Sequence, residues 1–256
     1  MEFFEPTYLI LALVALVAGF IDAVAGGGGM LTVPTLLSMG LPPHIALGTN
    51  KVAASFASST AAITYYRKGL FAPKHWLRSF IATLIGAIAG TLIVDHISTN
   101  WLEKMLPAVI LVTAIYTLLS KPHPHKNEET KLCVKTKNKQ WLQGLLLGGY
   151  DGIAGPGTGA FWTVSSMALY RLNILFATGI AKAMNFTSNI TSMVTFALLG
   201  HINWPLGLMM GVCLMIGAYI GAHSAIRFGA QFIRPIFVTI VSIMAIKLGL
   251  EAWWFS

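Results

Sequence analysis

The sequence has 256 residues, of which 55% are hydrophobic and only 10% are charged, and its formal net charge is +8. A soluble domain carries about 25% charged residues, so this composition excludes an ordinary soluble protein and indicates a polytopic protein of the lipid bilayer. The positive charge does not indicate nucleic-acid binding, because the basic residues fall in short loops between apolar runs. The two cysteines, Cys133 and Cys213, lack the spacing of a metal site, so no metal and no cofactor are expected.

Eight apolar runs predict an all-α membrane protein with about eight transmembrane helices, since a crossing helix needs about 20 residues. The runs cover residues 8–25, 44–66, 76–94, 105–119, 141–170, 174–199, 204–228 and 235–254. The fifth run is too long for one crossing and holds glycines in its middle. The first run is followed by an apolar piece, 30–39, that is too short to cross alone. We therefore expect glycine-rich broken or re-entrant segments at both places.

The two halves of the chain repeat each other's charged residues and glycines. Asp22 and Asp151 lie 129 residues apart, and Lys51 and Lys182 lie 131 apart. Three glycine pairs keep the spacing of 131, namely Gly69 with Gly200, Gly86 with Gly217, and Gly90 with Gly221. In each half an aspartate precedes a glycine run and a lysine follows it. This pattern predicts two homologous four-helix halves.

The polar stretch between the halves is predicted to be a basic cytoplasmic linker. It covers 121–140 and separates a first transmembrane repeat, 1–120, from a second, 141–256. The second and fourth loops hold ten lysines and arginines, against four in the odd-numbered loops. By the positive-inside rule this places the linker and both termini in the cytoplasm, in a bacterial-type inner membrane. With four spans each, the halves are expected to lie parallel, related by an axis along the membrane normal.

Four charged residues are predicted to lie within the membrane. Counted from the starts of their spans, Asp22 and Lys51 meet at nearly one depth, and the second pair agrees more loosely. A charge at such a depth is costly unless it is paired or lines a watery cavity. We expect all four to converge in the middle or outer half of the membrane. One alternative is that each lysine pairs with the aspartate of its own half only to fix the fold, and another is that Asp22 simply caps the helix break.

The glycine runs beside these charges indicate an anion site. Glycines permit backbone shapes that other residues avoid, and broken helices expose N–H groups and a positive dipole end that attract anions. The candidate substrate-binding residues are Gly26, Gly27, Gly28, Gly29, Asn50, Lys51, Ser55, Gly155, Gly157, Thr158, Gly159, Lys182 and Asn185. Asp22 and Asp151 are the candidates for charge pairing or for carrying a coupling proton. Close helix packing is the alternative role for the glycines.

The motifs GFIDAVAGGGGMLTVPTLL and ALGTNK, the duplicated glycine motif after the central loop and the eight spans resemble the TauE/SafE family of membrane permeases, the sulfite exporter-like proteins. The resemblance covers essentially the whole chain. In the second half, Pro156 and Thr158 interrupt the glycine run, and GIAK stands where the first half has GTNK. The resemblance implies export or uptake of small sulfur-containing anions such as sulfite, sulfoacetate and related sulfonates.

Together these features predict a secondary transporter, an exporter of small anions that works by alternating access between two repeats, with proton coupling left open. A nucleotide-binding GxxxxGK[ST] motif is absent from the sequence. We do not expect an enzyme, although an intramembrane lipid-modifying enzyme and a membrane subunit that needs a partner protein are the alternatives. The expected partners are the small anion and the bilayer, and a homodimer is left open.

Overall fold

The structure, a computed structural model, describes residues 6–119 and 137–229, and every regular element in these ranges is helical. The helices are α1 (Pro6–Ala25), α2 (Gly29–Ser38), α3 (Pro43–Arg67), α4 (Leu77–Asp95), α5 (Thr99–Leu119), α6 (Lys137–Ile153), α7 (Thr158–Tyr170), α8 (Ile174–Leu198) and α9 (Trp204–Phe228). A short 3-10 turn, Pro73–His75, precedes α4. The all-α prediction is confirmed for this part of the chain.

Two glycine-rich stretches interrupt the helices where the sequence predicts. Residues 26–28 separate α1 from α2, and residues 154–157 separate α6 from α7. Gly26 and Gly155 have φ values of 81° and 89°, in the left-handed region that side chains with a Cβ rarely adopt. The eighth predicted span, 235–254, lies outside the described residues.

Three helices of the described ranges are both long and apolar enough to cross a membrane, namely α1 over Tyr8–Ala25, α4 and α9. The helices α3 and α8 have 25 residues each, which corresponds to about 37 Å at 1.5 Å per residue. They are less apolar because they carry buried polar groups, among them Lys51, Lys182 and Asn185. Their composition therefore reflects an inner polar surface.

The helices α3 and α8 lie side by side and run in opposite directions. Near the start of α3, a Cβ built on Gly48 would lie 3.2 Å from the Cβ of Phe196, which is near the end of α8. Near the start of α8, a Cβ built on Gly179 would lie 3.5 Å from the Cβ of Tyr65, which is near the end of α3. The two helices are therefore antiparallel over their whole length.

Three other helix pairs run parallel and pack closely through glycines. The backbone contacts that show this are Thr83 with Gly148 and Ala87 with Gly152 for α4 and α6, and Leu16 with Gly217 and Phe20 with Gly221 for α1 and α9. For α3 and α9 the contacts are those of the Val52 side chain with Gly207 and of the Phe56 side chain with Gly211. A Cβ on Gly90 of α4 would collide with the carbonyl oxygen of Gly149 on α6. Small residues permit this close approach. The repeated glycines of α4 and α9, Gly86, Gly90, Gly217 and Gly221, therefore serve close helix packing.

The two ends of the helix bundle differ in charge. At one end, here called the His201 face, α3 begins, α4 and α8 end, and His201 Nε2 lies 2.7 Å from Asp95 Oδ1. At the opposite end, here called the Lys74 face, α3 and α9 end. The basic residues at or near the Lys74 face are Arg67, Lys68, Lys74, Arg78, Lys139, Arg171 and Arg227. The ends therefore differ as the two sides of a membrane protein commonly do.

Each broken helix forms a hairpin that returns to the face from which it enters. Because α1 runs parallel to α9 and α3, it starts at the His201 face, and α2 leads back to the start of α3 at that same face. Helix α6 starts at the Lys74 face, where Gln140 Nε2 donates a hydrogen bond to the His75 carbonyl oxygen (3.1 Å). Helix α7 returns there, since the ring centroids of Tyr170 and Trp76 lie 4.9 Å apart. Both segments are therefore helical hairpins whose two ends lie at one face of the bundle.

The hairpins reverse the expected relation between the two halves. A hairpin that returns to its own face does not change sides, so each one removes a crossing from the count made on the sequence. Equivalent helices then run in opposite directions, α3 against α8, α4 against α9, and α1 against α6. For this reason the expectation of parallel halves, with the start of α1 and the start of α6 on one side, is wrong.

Candidate functional site

Lys51 on α3 is paired with Asp151, near the end of α6. The lysine is 1% exposed, and its Nζ lies 2.9 Å from Asp151 Oδ1. The same Nζ donates a hydrogen bond to the main-chain oxygen of Asp151 at 2.5 Å. Helix α6 belongs to the other half of the chain. The alternative weighed from the sequence, in which each lysine pairs with the aspartate of its own half, is therefore wrong.

Lys182 on α8 makes the corresponding contact with Asp22, near the end of α1. Its side chain is fully buried, and its Nζ lies 3.3 Å from Asp22 Oδ2. It also donates a hydrogen bond to the main-chain oxygen of Asp22. The Asp22 side chain is 15% exposed and the Asp151 side chain only 4%, so the two pairs differ in their access to solvent. Each pair links an intact helix of one half to the broken helix of the other.

Each aspartate also contacts the start of the short helix that follows its own break. The Gly28 N–H, at the beginning of α2, donates a hydrogen bond to Asp22 Oδ1 at 3.3 Å. The Thr158 hydroxyl, at the beginning of α7, donates to Asp151 Oδ1 at 2.9 Å. Helix starts attract negative charge. The carboxylates therefore occupy the place that the sequence analysis assigned to a substrate anion, and the capping contact expected for Asp22 is present.

The two glycine breaks touch each other at the centre of the molecule. A Cβ built on Gly26 would lie 2.6 Å from the Cα of Gly159, and one built on Gly29 would lie 3.3 Å from the Cα of Pro156. A Cβ on Gly155 would lie 3.0 Å from the Nζ of Lys51. Side chains at these positions would separate the two hairpins or displace the lysine, so glycine is required by close approach as well as by backbone angle.

The remaining predicted site residues surround this centre but differ in their hydrogen bonding. Asn50 Oδ1 lies 2.5 Å from the hydroxyl of Thr32 on α2. The Ser55 hydroxyl donates to the Lys51 carbonyl oxygen at 2.7 Å, within its own helix. Asn185 is 5% exposed, and its Oδ1 has no partner among the described residues. Gly27 lies within the first break, and Gly157 caps the start of α7.

The two lysines lie at different depths. Each is eight residues beyond the start of its helix, and α3 and α8 are antiparallel. With Gly48 level with Phe196 and Gly179 level with Tyr65, the main-chain positions of the two lysines are separated along the helix axes by about 16 Å at 1.5 Å per residue. The main-chain positions of the two lysines therefore lie at different levels, on either side of the contact between the glycine breaks, and the convergence of the four charged groups in the middle or outer half of the membrane stays a prediction.

Two features of the site were not identified from the sequence. Thr32 was missed, although Thr32 and Thr163 recur at the spacing of 131 shared by the lysines. The contact between His201 and Asp95 was also missed, and the His44 ring lies 5.3 Å from the His201 ring. The incorrect count of crossings had placed His201 and Asp95 on opposite sides of the membrane, so the sequence offered no signal for this cluster.

In residues 6–119 and 137–229, no group of three or more His, Cys, Asp and Glu side chains is placed to hold a metal ion. Cys213 on α9 is a free thiol, and Cys133 lies outside the described residues. The chemistry of the site therefore comes from two lysines, two aspartates, main-chain N–H groups and a few small polar side chains.

Comparisons with known proteins identify the family. The family model described as Sulfite exporter TauE/SafE matches residues 11–248. A probable membrane transporter protein of Haemophilus influenzae is 38% identical over 250 residues, which is 96% of each chain. The probable membrane transporter protein ORF9 of a Sinorhizobium species is 34% identical, over 91% of this chain and 89% of that protein. The probable membrane transporter protein YfcA of Escherichia coli K12 is 33% identical, over 93% of this chain and 88% of that protein. No solved structure matches the chain.

The match spans both hairpins, both lysines and both aspartates, so it covers the whole of the candidate site. The chain belongs to the TauE/SafE family, and the protein is a membrane transporter, not an enzyme.

Proposed function

We propose that the protein is a secondary transporter of small anions that works by alternating access and carries sulfite, sulfoacetate or related organosulfonates. This proposal rests on one observation, namely that each lysine is paired with the aspartate of the other half of the chain. Lys51 is bound to Asp151, and Lys182 to Asp22, at the two places where the helices are broken. Two matched sets, each with a buried lysine and the start of a short helix, support an anion path between inverted repeats.

The chemistry of each pair favours an anion as the cargo. A lysine ammonium and the N-terminal end of a short helix are both attracted to negative charge. In the structure, the aspartate carboxylates satisfy these groups. An anion that displaces a carboxylate, or that arrives when the carboxylate is neutral, would meet the same ammonium and the same helix start. The aspartates thus hold the lysines while the site is empty.

The arrangement of the helices supports alternating access between two inverted repeats, 1–120 and 141–256, joined by the linker 121–140. The closest packing joins α1 to α9 and α4 to α6, so each half contributes helices to both sides of the α3–α8 contact. Both ion pairs cross this contact. Opening the protein toward either face would separate one pair while the other holds, and the two states would alternate.

The distribution of charge supports an orientation in the membrane. The Lys74 face carries seven of the basic residues, whereas Lys104 lies near the His201 face. By the positive-inside rule, the Lys74 face lies in the cytoplasm of a bacterial-type inner membrane and the start of α1 lies outside. This orientation replaces the cytoplasmic N-terminus expected from the sequence.

The substrate and the direction of transport rest on the family description. That description names a sulfite exporter, whereas the relatives are named only as probable membrane transporter proteins. We therefore propose sulfite and organosulfonates as the cargo and export as the direction. A homodimer is proposed as the oligomeric state, which the molecular mass of the purified protein would test.

The test is flux through the purified protein alone. Proteoliposomes would be loaded with radiolabelled sulfite, sulfoacetate or methanesulfonate, and efflux followed in the wild type, Lys51→Ala and Lys182→Ala. We expect flux in the wild type, none in either variant, and normal flux in the control Lys104→Ala. Since Lys51→Ala leaves Asp151 buried without its partner, the double variant Lys51→Met with Asp151→Leu is added to retain the fold. Normal flux in that folded variant would remove the charge pair from the mechanism.

A further inference from the structure

The two aspartates occupy equivalent places, but their carboxylate oxygens are bonded differently. Both oxygens of Asp22 have partners, because Oδ1 accepts from the Gly28 N–H and Oδ2 faces Lys182, each at 3.3 Å. In Asp151, Oδ1 receives both Lys51 and the Thr158 hydroxyl, each at 2.9 Å. Asp151 Oδ2 is buried and has no partner among the described residues. The pseudo-symmetry of the site is therefore broken at one atom.

An unsatisfied carboxylate oxygen in a buried position needs a physical explanation. A buried acceptor without a hydrogen bond loses the interactions that it had with water, which is unfavourable for a charged group above all. Addition of a proton to Oδ2 removes the charge and requires no space beyond a hydrogen atom. Asp151 is only 2% exposed, so a proton is the smallest ligand that fits a sealed position of this kind.

The balance of charge gives the proton a function. The buried pair of Lys51 and Asp151 is neutral as it stands. An anion bound beside it would leave a net negative charge in a poorly solvated place, which is costly. A proton from bulk water, added to Asp151 Oδ2, neutralises the carboxylate and leaves the Lys51 ammonium free to hold one negative charge. Only an O–H bond forms, and no other bond changes.

We propose that Asp151 binds the coupling ion, a proton, and that Asp22 does not. The inference rests on the proposed transport function and deepens it. It predicts that one proton moves with each single negative charge of the substrate, in the same direction and without net charge transfer. A transporter of this kind is driven by the combined concentration gradients of its anion and of the proton, because the membrane potential does not act on a neutral combination.

The groups around Asp151 are consistent with one proton site. Within residues 6–119 and 137–229, Lys51 is the one charged group bonded to Asp151, since Lys182 of α8 is held by Asp22. The other titratable groups on α6 and on the helices packed around it lie toward the helix ends or bond elsewhere, namely Arg78 and Asp95 of α4, His44, Tyr65, Tyr66 and Arg67 of α3, Tyr170 of α7, and Lys139 and Tyr150 of α6.

A metal cation does not fit the same place. A hard cation takes about six oxygen ligands, whereas a single carboxylate oxygen is free here. The Lys51 ammonium lies 2.9 Å from the other oxygen of the same carboxylate and would repel a second full positive charge. Protonation avoids this repulsion because it cancels the negative charge instead of adding an ion beside it.

The test compares two symmetry-related variants, Asp151→Asn and Asp22→Asn, in proteoliposomes with methanesulfonate. This sulfonate keeps one fixed negative charge, whereas the charge of sulfite changes with pH. With one proton per anion, a gradient of one pH unit should drive the wild type to an accumulation of about tenfold. We expect Asp22→Asn to reach the same ratio more slowly, and Asp151→Asn to exchange methanesulfonate without accumulating it.

Three results would overturn the proposal. They are accumulation by Asp151→Asn equal to that of the wild type, equal loss in both variants, and accumulation driven by a sodium gradient at constant pH. A second measurement does not depend on transport. Infrared difference spectra between neutral and acidic pH should show a protonated-carboxyl band that disappears in Asp151→Asn and persists in Asp22→Asn. If the wild type carries no anion, the proposed function fails, and the infrared comparison still decides whether Asp151 is the protonated group.

Discussion

The ammonium of Lys51 on α3 lies 2.9 Å from the carboxylate of Asp151 on α6, although the two residues belong to different halves of the chain. The equivalent contact joins Lys182 to Asp22. Each half therefore completes the charge pair of the other. A single change at one pair should weaken the contact between the halves at one depth while the other pair persists.

The first prediction concerns the partner of Lys51. Because the pair is buried, removing the lysine alone should leave an uncompensated carboxylate and lower the free energy of unfolding by about 3–5 kcal/mol. We expect Lys51→Met to be strongly destabilised and the double variant Lys51→Met with Asp151→Leu to recover most of the loss. Thermal unfolding in detergent measures both. If Asp22→Leu restores Lys51→Met and Asp151→Leu does not, the pairing lies within the first half and the crossed arrangement is wrong.

The second prediction uses two glycines of one helix contact. A Cβ at Gly90 would collide with the carbonyl oxygen of Gly149, whereas a Cβ at Gly149 would lie 3.7 Å from the Gly86 oxygen, an ordinary contact. Gly90→Ala should therefore force α4 from α6 and destabilise the protein by about 1–3 kcal/mol. Gly149→Ala, the matched control, should be neutral or slightly stabilising, since alanine favours helix by about 1 kcal/mol over glycine. Equal melting temperatures for the two variants would contradict this packing.

The third prediction concerns the hydroxyl that supports Asp151. The Thr158 hydroxyl lies 2.9 Å from its acceptor Asp151 Oδ1 and 2.7 Å from a second acceptor, the Gly155 carbonyl oxygen, whereas Thr163 donates to the Gly159 carbonyl oxygen of its own helix. A hydrogen bond to a charged group contributes about 1.5–3 kcal/mol, so Thr158→Val should lower the stability by about that amount. Thr163→Val should cost less, because the Gly159 oxygen already accepts within the helix. Unfolding curves of the two isosteric variants test this, and a larger loss in Thr163→Val would argue against the Thr158 contact.

The helices and their interruptions were predictable from composition. Long apolar runs indicated the helices, and the glycines at 26–29 and 155–159 indicated where two of them break. Because a buried charge is costly, the sequence also indicated that each of the four charged residues is paired or lines a watery cavity. These inferences succeed because they depend on local free energies of transfer, which a single sequence contains.

The direction of the helices was not predictable in the same way. Hydropathy measures whether a segment prefers lipid, and a hairpin that turns back has the same composition as a helix that crosses. The partner of Lys51 depends on that direction. The spacing of 129 and 131 residues is compatible with a charge pair within one half and with a charge pair between the halves. The antiparallel packing of α3 and α8 distinguishes these two pairings.

The fourth prediction tests the α6–α7 hairpin, which lies between Lys74 and Trp204 in the chain, through the sides of three loops. The count of eight crossings places residues near Lys74 and Trp204 on one side and Arg227 on the other. The structure instead places Lys74 and Arg227 at one face and Trp204 at the other. Cys133 and Cys213 would first be replaced by serine, and single cysteines introduced by Lys74→Cys, Trp204→Cys and Arg227→Cys.

Labelling of whole cells with a membrane-impermeant maleimide should modify Trp204→Cys, because basic residues keep the Lys74 face in the cytoplasm. Lys74→Cys and Arg227→Cys should react only after the cells are opened. The conclusion depends on which of the three cysteines lie on the same side of the membrane, whichever face is outside. If Trp204→Cys and Lys74→Cys share one side, the α6–α7 segment crosses the membrane. The two halves are then parallel, and the crossed charge pairs lose their structural basis.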